Sequence, residues 1–107
     1  IMNLAVMMKQ AQAMQGKLQD TQARIAAMEF TGSAGGGAVS ITLTGKGTAT
    51  KLKLDKSVVV ADDSEMLEDL IVAAINDARS KSEAASQDEM KKAMGGLNLP
   101  PGLSLPF

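Results

Sequence analysis

The sequence predicts an α+β fold in which a long helix, a small three-stranded antiparallel sheet and a second long helix follow one another along the chain. In the first and last thirds of the chain, apolar residues recur at spacings of three and four, as on one face of a helix. Between them every second residue is apolar, as in a strand with one buried face. A chain of 107 residues holds one core, so residues 1–107 are expected to form a single domain.

The first helix is predicted over residues 2–30. Seven of its eight seam positions are apolar; the seam is Leu4, Met7, Ala11, Met14, Leu18, Thr21, Ile25 and Met28. At 1.5 Å per residue the seam from Leu4 to Met28 is about 37 Å long, too long for so small a sheet to cover. A second copy of the chain is expected to cover the rest of the seam. The residues predicted at this dimer interface are Leu4, Met7, Met14, Leu18, Ile25 and Met28.

The sheet is predicted as a meander over residues 28–55. Val39, Ile41 and Leu43 alternate with hydroxyl residues, and the segment 50–54 alternates lysine with leucine. An earlier short strand is expected at 28–33, and glycine-rich turns join the three strands because glycine supplies the positive φ that tight turns require.

The turn Gly45-Lys46-Gly47 resembles a phosphate-binding loop only in composition. Such a loop needs a glycine, four spacer residues and then Gly-Lys, with a hydroxyl residue after the lysine followed by a helix. Ser40 stands at the first glycine position, Gly47 stands at the hydroxyl position, and a strand follows. Lys46 is therefore predicted to be the exposed tip of a hairpin, with no small-molecule substrate bound there.

The second helix is predicted over residues 62–94. Asp62 and Glu65 have the spacing of a capping box. One apolar face consists of Leu67, Leu70, Ile71, Ala74, Ile75 and Ala78. The last third, Lys81 to Lys92, has little to bury, and Gly95-Gly96 is expected to end the helix. The tail 95–107 contains three prolines and is predicted to be extended.

The composition excludes several classes of chemistry. The chain has no cysteine and no histidine, which removes disulfides, thiolate zinc sites and imidazole catalysis. The acidic cluster Asp62, Asp63, Glu65, Glu68 and Asp69 lacks the spacing of a calcium loop and complements the positive end of a helix dipole. No enzyme activity, cofactor or metal is expected.

Two further absences narrow the partners. Phe30 and Phe107 are the only aromatic residues, so single-strand binding by base stacking is not favoured. No apolar run approaches the roughly 18 residues of a membrane span, and no signal peptide is evident, so we expect a cytoplasmic protein that does not bind membranes.

Charge is divided along the chain. Residues 1–56 carry seven basic and three acidic side chains (+4), and residues 57–107 carry four basic and nine acidic ones (−5). On the first helix, Lys9, Lys17 and Arg24 lie at about 0°, 80° and 60° at 100° per residue, outside the seam. This basic stripe is compatible with a phosphate backbone. It is equally compatible with an ordinary solvated face.

Four segments together resemble one family. They are "MMKQAQAMQGKLQ", "SAGGGAVSITLTGKG", "EMLEDLIVAAINDA" and "GGLNLPPGLSLPF", and in this order they resemble the YbaB/EbfC family of bacterial nucleoid-associated proteins over nearly all of residues 2–107. The resemblance implies an intertwined, tweezer-like homodimer with projecting helices that binds double-stranded DNA in the nucleoid and affects its organisation or gene expression. It adds helix-two candidates to the stripe: Arg79, Lys81, Lys91 and Lys92. The alternative is a non-catalytic structural or protein-interaction dimer that uses the methionine-rich seam or the leucine-rich tail.

Overall fold

The computed structural model describes residues 3–95. It contains, in chain order, helix α1 (Leu4–Ala27), strands β1 (Glu29–Ala34), β2 (Val39–Thr44) and β3 (Ala49–Leu54), and helix α2 (Ser64–Met94). Two short 3₁₀ turns, Lys56–Val58 and Ala61–Asp63, lead from β3 into α2. The predicted α-β-β-β-α order is confirmed. Apart from Gly95, the predicted tail lies outside the described residues.

The three strands form one antiparallel sheet in the order β1-β2-β3. Gly35, Gly36 and Gly37 all have positive φ in the first turn, between 65° and 94°, which is why glycine occurs there. The second turn closes around Thr44, whose carbonyl accepts from the Gly47 N–H at 2.8 Å and whose N–H donates to the Thr48 carbonyl at 2.8 Å. Gly47 has φ 87°, and the predicted hairpin is confirmed.

The core lies between the sheet and α2. Val39, Ile41 and Leu43 of β2 are buried on one face, against Ala74 and Ala78 of α2, which are fully buried. Small residues on both sides bring the two backbones close together. At Gly32 of β1 a Cβ atom would overlap the carbonyl oxygen of Ala74 and the backbone nitrogen of Ala78.

Helix α1 and strand β1 lie end to end along α2 and run antiparallel to it. The Ser33 N–H donates to Asp77 at 3.0 Å, Lys81 Nζ donates to the Thr31 carbonyl at 3.0 Å, and Arg24 pairs with Glu89 at 2.7 Å. As residue numbers fall along α1 and β1, the partner numbers therefore rise along α2. The first half of α1 extends past the last turn of α2, and the molecule measures 72 × 27 × 16 Å.

The end of α2 packs against the second half of α1. Ala93 of α2 is buried, and so are Thr21 and Ile25 of α1, because the two helices pack side by side there. The Thr21 hydroxyl donates to the Lys17 carbonyl at 2.9 Å, so this polar residue is buried with its hydrogen bond made. The stretch Lys81 to Lys92 itself has little to bury, as predicted: none of its residues is buried, and Glu89 and Met90 are half-buried beside α1.

The N-cap of α2 is one residue later than predicted. The Asp63 carboxylate accepts from the Met66 N–H at 3.3 Å and is the N-cap. Asp62 is not the cap because α2 begins at Ser64, so Asp63 is the residue directly before the first helical turn.

Candidate nucleic-acid interface

The three cations of the basic stripe on α1 differ in whether they form an ion pair with α2. Lys9 and Lys17 are exposed and make no ion pair within residues 3–95. Arg24, with its side chain 61% exposed, pairs at 2.7 Å with Glu89, whose side chain is only 18% exposed. Two of the three stripe cations are thus free within the described chain, and the third is engaged with a carboxylate.

Of the four candidate cations on α2, two are ion-paired within the described residues and two are not. Lys81 pairs with Asp77 at 3.2 Å, and Lys92 pairs with Asp88 at 3.1 Å. Arg79 and Lys91 are exposed and have no carboxylate partner in residues 3–95. The hydrogen bond from Lys92 to Asp88, followed by the charges of Asp88 and Glu89, raises the pKa of Lys92, so this ammonium group is held in its charged form.

One carboxylate brings candidates from both helices together. Glu89 pairs with Arg24 and lies 4.0 Å from Lys92 Nζ. A cation from each helix therefore flanks a single, mostly buried carboxylate. This part of the surface has mixed charge, whereas Lys9 lies on the first half of α1, which extends beyond it, and Lys17 lies just past the middle of that helix.

Four lysines at β3 were not among the predicted site residues. Lys46, Lys51, Lys53 and Lys56 are all exposed, and none pairs with a carboxylate in the described part of the chain. The alternating Lys51-Leu52-Lys53-Leu54 predicts that both lysines lie on one face, but not what surrounds them. Only the strand register supplies that information.

The Lys46 turn has no free amides to hold a phosphate. The Lys46 and Thr48 N–H groups both donate to the Thr44 hydroxyl at 3.3 Å, and the Gly47 N–H donates to the Thr44 carbonyl. A strand, β3, follows the turn. Lys46 is exposed, as the hairpin prediction requires.

The acidic residues are gathered at the other end of α2. Asp63, Glu65 and Asp69 line a shallow crevice beside Met66 and Leu70 at the start of this helix. Nowhere in residues 3–95 do three carboxylates converge closely enough to hold a metal ion. The cluster is accounted for by its position at the positive end of the helix dipole.

The predicted interface residues differ in exposure. Leu4 is 69% exposed and Met7 is 48% exposed, while Met14, Leu18 and Met28 are half-buried. The structure places Ile25 in the contact between α1 and α2 within one chain. The apolar surface that is open to a partner therefore lies towards the start of α1.

Comparison with known proteins identifies the chain. The family model described as the YbaB/EbfC DNA-binding family matches residues 1–97. The chain belongs to this family. The description of the YbaB/EbfC family names DNA binding and does not name a catalysed reaction.

Curated relatives extend the match along the chain. A nucleoid-associated protein of Rhodospirillum centenum is 57% identical over 105 residues, covering 98% of each chain. One from Maricaulis maris is 53% identical over 105 residues with the same coverage. One from Rickettsia akari is 45% identical over 107 residues and covers all of both chains.

A solved structure shares the fold of this chain. The crystal structure of an uncharacterized protein from Helicobacter pylori superposes with a TM-score of 0.74 at 21% identity, over 89% of this chain and 100% of the other. At this identity the likeness concerns the fold. Within residues 3–95 neither helix is long and apolar enough to cross a membrane.

Proposed function

We propose that this protein is a nucleoid-associated protein that binds double-stranded DNA as a homodimer with weak sequence preference. Its family and the names of its relatives support DNA as the partner. The observation that carries the proposal on this chain is its free positive charge. Of eleven Lys and Arg side chains, Arg24, Lys81 and Lys92 are ion-paired within residues 3–95, which leaves eight available for phosphate.

The five acids at residues 62–69 lie away from α1, so the acidic net charge of the chain is compatible with DNA binding along α1. Its net charge is −1 and its pI about 5.3, whereas phosphate neutralisation requires positive charge. The acidic first turns of α2 are more than 20 residues from the part of α2 that contacts α1. At 1.5 Å per residue this is about 30 Å, several times the roughly 8 Å Debye length at physiological salt. The acidic end therefore repels DNA bound along α1 only weakly.

Uncovered apolar surface supports the homodimer. Val6 and Met8 are exposed on α1 beside the seam, and Leu52 of β3, on the face that packs on α2, is 49% exposed. The two edges of the sheet also differ. Asp77 and Lys81 bind backbone groups of β1, whereas β3 has no strand beyond it in residues 3–95. A second copy of the chain would cover the α1 seam, the β3 edge, or both.

The side chains available for binding favour phosphate over bases. Lysine and arginine in contact with phosphate position a protein on DNA without reporting its sequence. Phe30 is buried in the fold and offers no platform on which an unpaired base could stack. Duplex DNA is therefore the preferred form, and weak sequence preference follows.

The salt dependence of duplex binding tests this function. Two protomers present four free stripe cations, Lys9 and Lys17 from each, and four contacts give a log-log slope of about −3.6. Fluorescence anisotropy with a labelled duplex of about 30 base pairs, between roughly 50 and 200 mM KCl, measures this slope. Absence of duplex binding by the wild-type protein at the lowest salt concentration would contradict the proposal.

The free stripe cations provide the matched variants. The double variant Lys9→Gln with Lys17→Gln should flatten the salt slope and weaken binding equally on DNA of unrelated sequences. The double variant Lys9→Arg with Lys17→Arg should keep the wild-type slope and affinity. Arg24→Glu is a poorer probe, because it places a second carboxylate against Glu89. If the wild type binds no DNA but captures a protein through the exposed Met7 and Met8, the interaction-dimer alternative is favoured instead.

A further inference from the structure

The face of the sheet that points away from α2 carries an ordered array of hydroxyl groups and lysines. In an antiparallel sheet, directly opposed residues point to the same side. The register places Ser33, Ser40 and Lys53 in one row across the sheet. Thr31, Thr42 and Lys51 form the next row. We call these six residues the hydroxyl-lysine face.

This face is open in the described structure. Val39 and Ile41 alternate with its β2 residues and are buried on the other face against α2, so Ser40 and Thr42 point away from that helix. Thr31, Ser33 and both lysines are exposed, while the two residues of the central strand are half-buried. The Thr31 and Thr42 hydroxyls lie 3.1 Å apart. One of them donates to the other, which leaves the second O–H free to donate outward.

The β3 side of this face is strongly positive, and on its β1 side the exposed Glu29, which the register pairs with Thr44, is an acid on the same face. Residues 46–56 contain four lysines and one acid, Asp55. The Asp55 carboxylate is already used, since it accepts from the Ser57 N–H at 2.9 Å and caps the 3₁₀ turn after β3. None of the four lysines has a carboxylate partner within residues 3–95. Half of the eight unpaired cations of the described chain are therefore concentrated at β3 and its flanks.

We propose that the hydroxyl-lysine face is a second contact surface for the phosphate backbone of double-stranded DNA. Hydroxyl and ammonium groups are the donors that proteins use to bind phosphate oxygens. Lys51 and Lys53 follow one edge about 6.8 Å apart, at 3.4 Å per residue, so they form a line of charge. An open, nearly flat face with a line of cations matches an extended polyanion better than a small anion, which requires converging donors. This inference rests on the proposed function and adds a surface to the helical cations.

Neutralising the two lysines tests the inference. If the face of one protomer in the dimer contacts DNA and each of its two lysines makes one phosphate contact, the double variant Lys51→Gln with Lys53→Gln should flatten the log-log salt slope by about 1.8. At about 0.1 M KCl each lost contact lowers affinity roughly 8-fold, so the pair should lose roughly 60-fold. Lys51→Arg with Lys53→Arg is the control and should bind within about twofold of wild type, because it keeps both charges.

A second double variant controls for self-association through the β3 edge. Edge lysines also discourage strand pairing, so the glutamine variant could associate through β3. Lys51→Glu with Lys53→Glu keeps the edge charged while repelling phosphate, and should bind duplex more weakly than the glutamine variant. Sedimentation velocity and thermal melting of each variant check assembly and folding.

The outcomes separate this inference from the proposed function. If wild type binds duplex DNA and the glutamine and glutamate double variants both match its affinity and slope, the inference is wrong and the lysines only protect the edge. The inference is equally wrong if the variants lose binding to phosphatidylserine vesicles but keep binding to duplex DNA. If wild type does not bind duplex DNA at all, the proposed function fails, and the inference fails with it.

Discussion

At the residue scale, two glycines are expected to respond oppositely to alanine. A Cβ at Gly32 would overlap backbone atoms of Ala74 and Ala78, which cannot rotate away, whereas nothing lies within 4 Å of the corresponding position at Gly16. Gly32→Ala should lower the free energy of unfolding by about 3 kcal/mol through overpacking. Gly16→Ala should raise it by up to about 1 kcal/mol through helix propensity. Urea denaturation measures both, and a neutral Gly32→Ala would contradict the close approach of β1 to α2.

Asp77 should make stability depend on pH in the acid range. Its carboxylate accepts the Ser33 N–H and then a hydrogen bond from Lys81, and these lower its pKa. A lowered folded-state pKa contributes stability that is complete above the unfolded value of about 3.9 and is lost as pH falls through the folded value. The stability difference between wild type and Asp77→Asn should therefore be constant above about pH 5 and shrink below about pH 4. A difference that grows as pH falls would contradict this assignment.

At the scale of elements, the contact between α1 and α2 depends on Ile25. This side chain is 7% exposed, so Ile25→Ala should cost about 3 kcal/mol of protomer stability. Leu4→Ala, at an exposed position of the same helix, should change protomer stability little and serves as the control. Chemical denaturation at several protein concentrations separates this intrinsic loss from effects on assembly.

Local periodicity was sufficient to predict the elements themselves. The apolar face of α2 and the alternation in β2 are visible in the sequence because each buries one side of a regular element. The pairing of Arg24 with Glu89 was not predictable, since the two residues are 65 positions apart and neither belongs to an apolar pattern. The hydroxyl-lysine face likewise needs the register of three strands, which single-strand patterns do not specify.

At the scale of the whole molecule, we expect a homodimer at tens of micromolar. Met7→Asp should weaken it, because burial in an interface would desolvate an unpaired charge. Gln12→Asp adds the same charge to an exposed position about 140° away around α1, at 100° per residue, and should leave assembly unchanged. Sedimentation equilibrium measures both variants. A wild type that sediments as a monomer at that concentration would contradict the prediction.

The end-to-end arrangement of α1 and β1 along α2 has a consequence for motion. Only the last part of α1 packs against α2, so the first half of α1 has no tertiary contact with α2 within residues 3–95. A helix of about 13 residues without tertiary support is marginal in water, so amide hydrogens near Met8 should exchange far faster than those near Ile25 in a dilute protomer. If a second copy packs on this segment, its exchange should slow as protein concentration rises. Amide exchange in the first half of α1 would then report on dimerisation without any DNA being present.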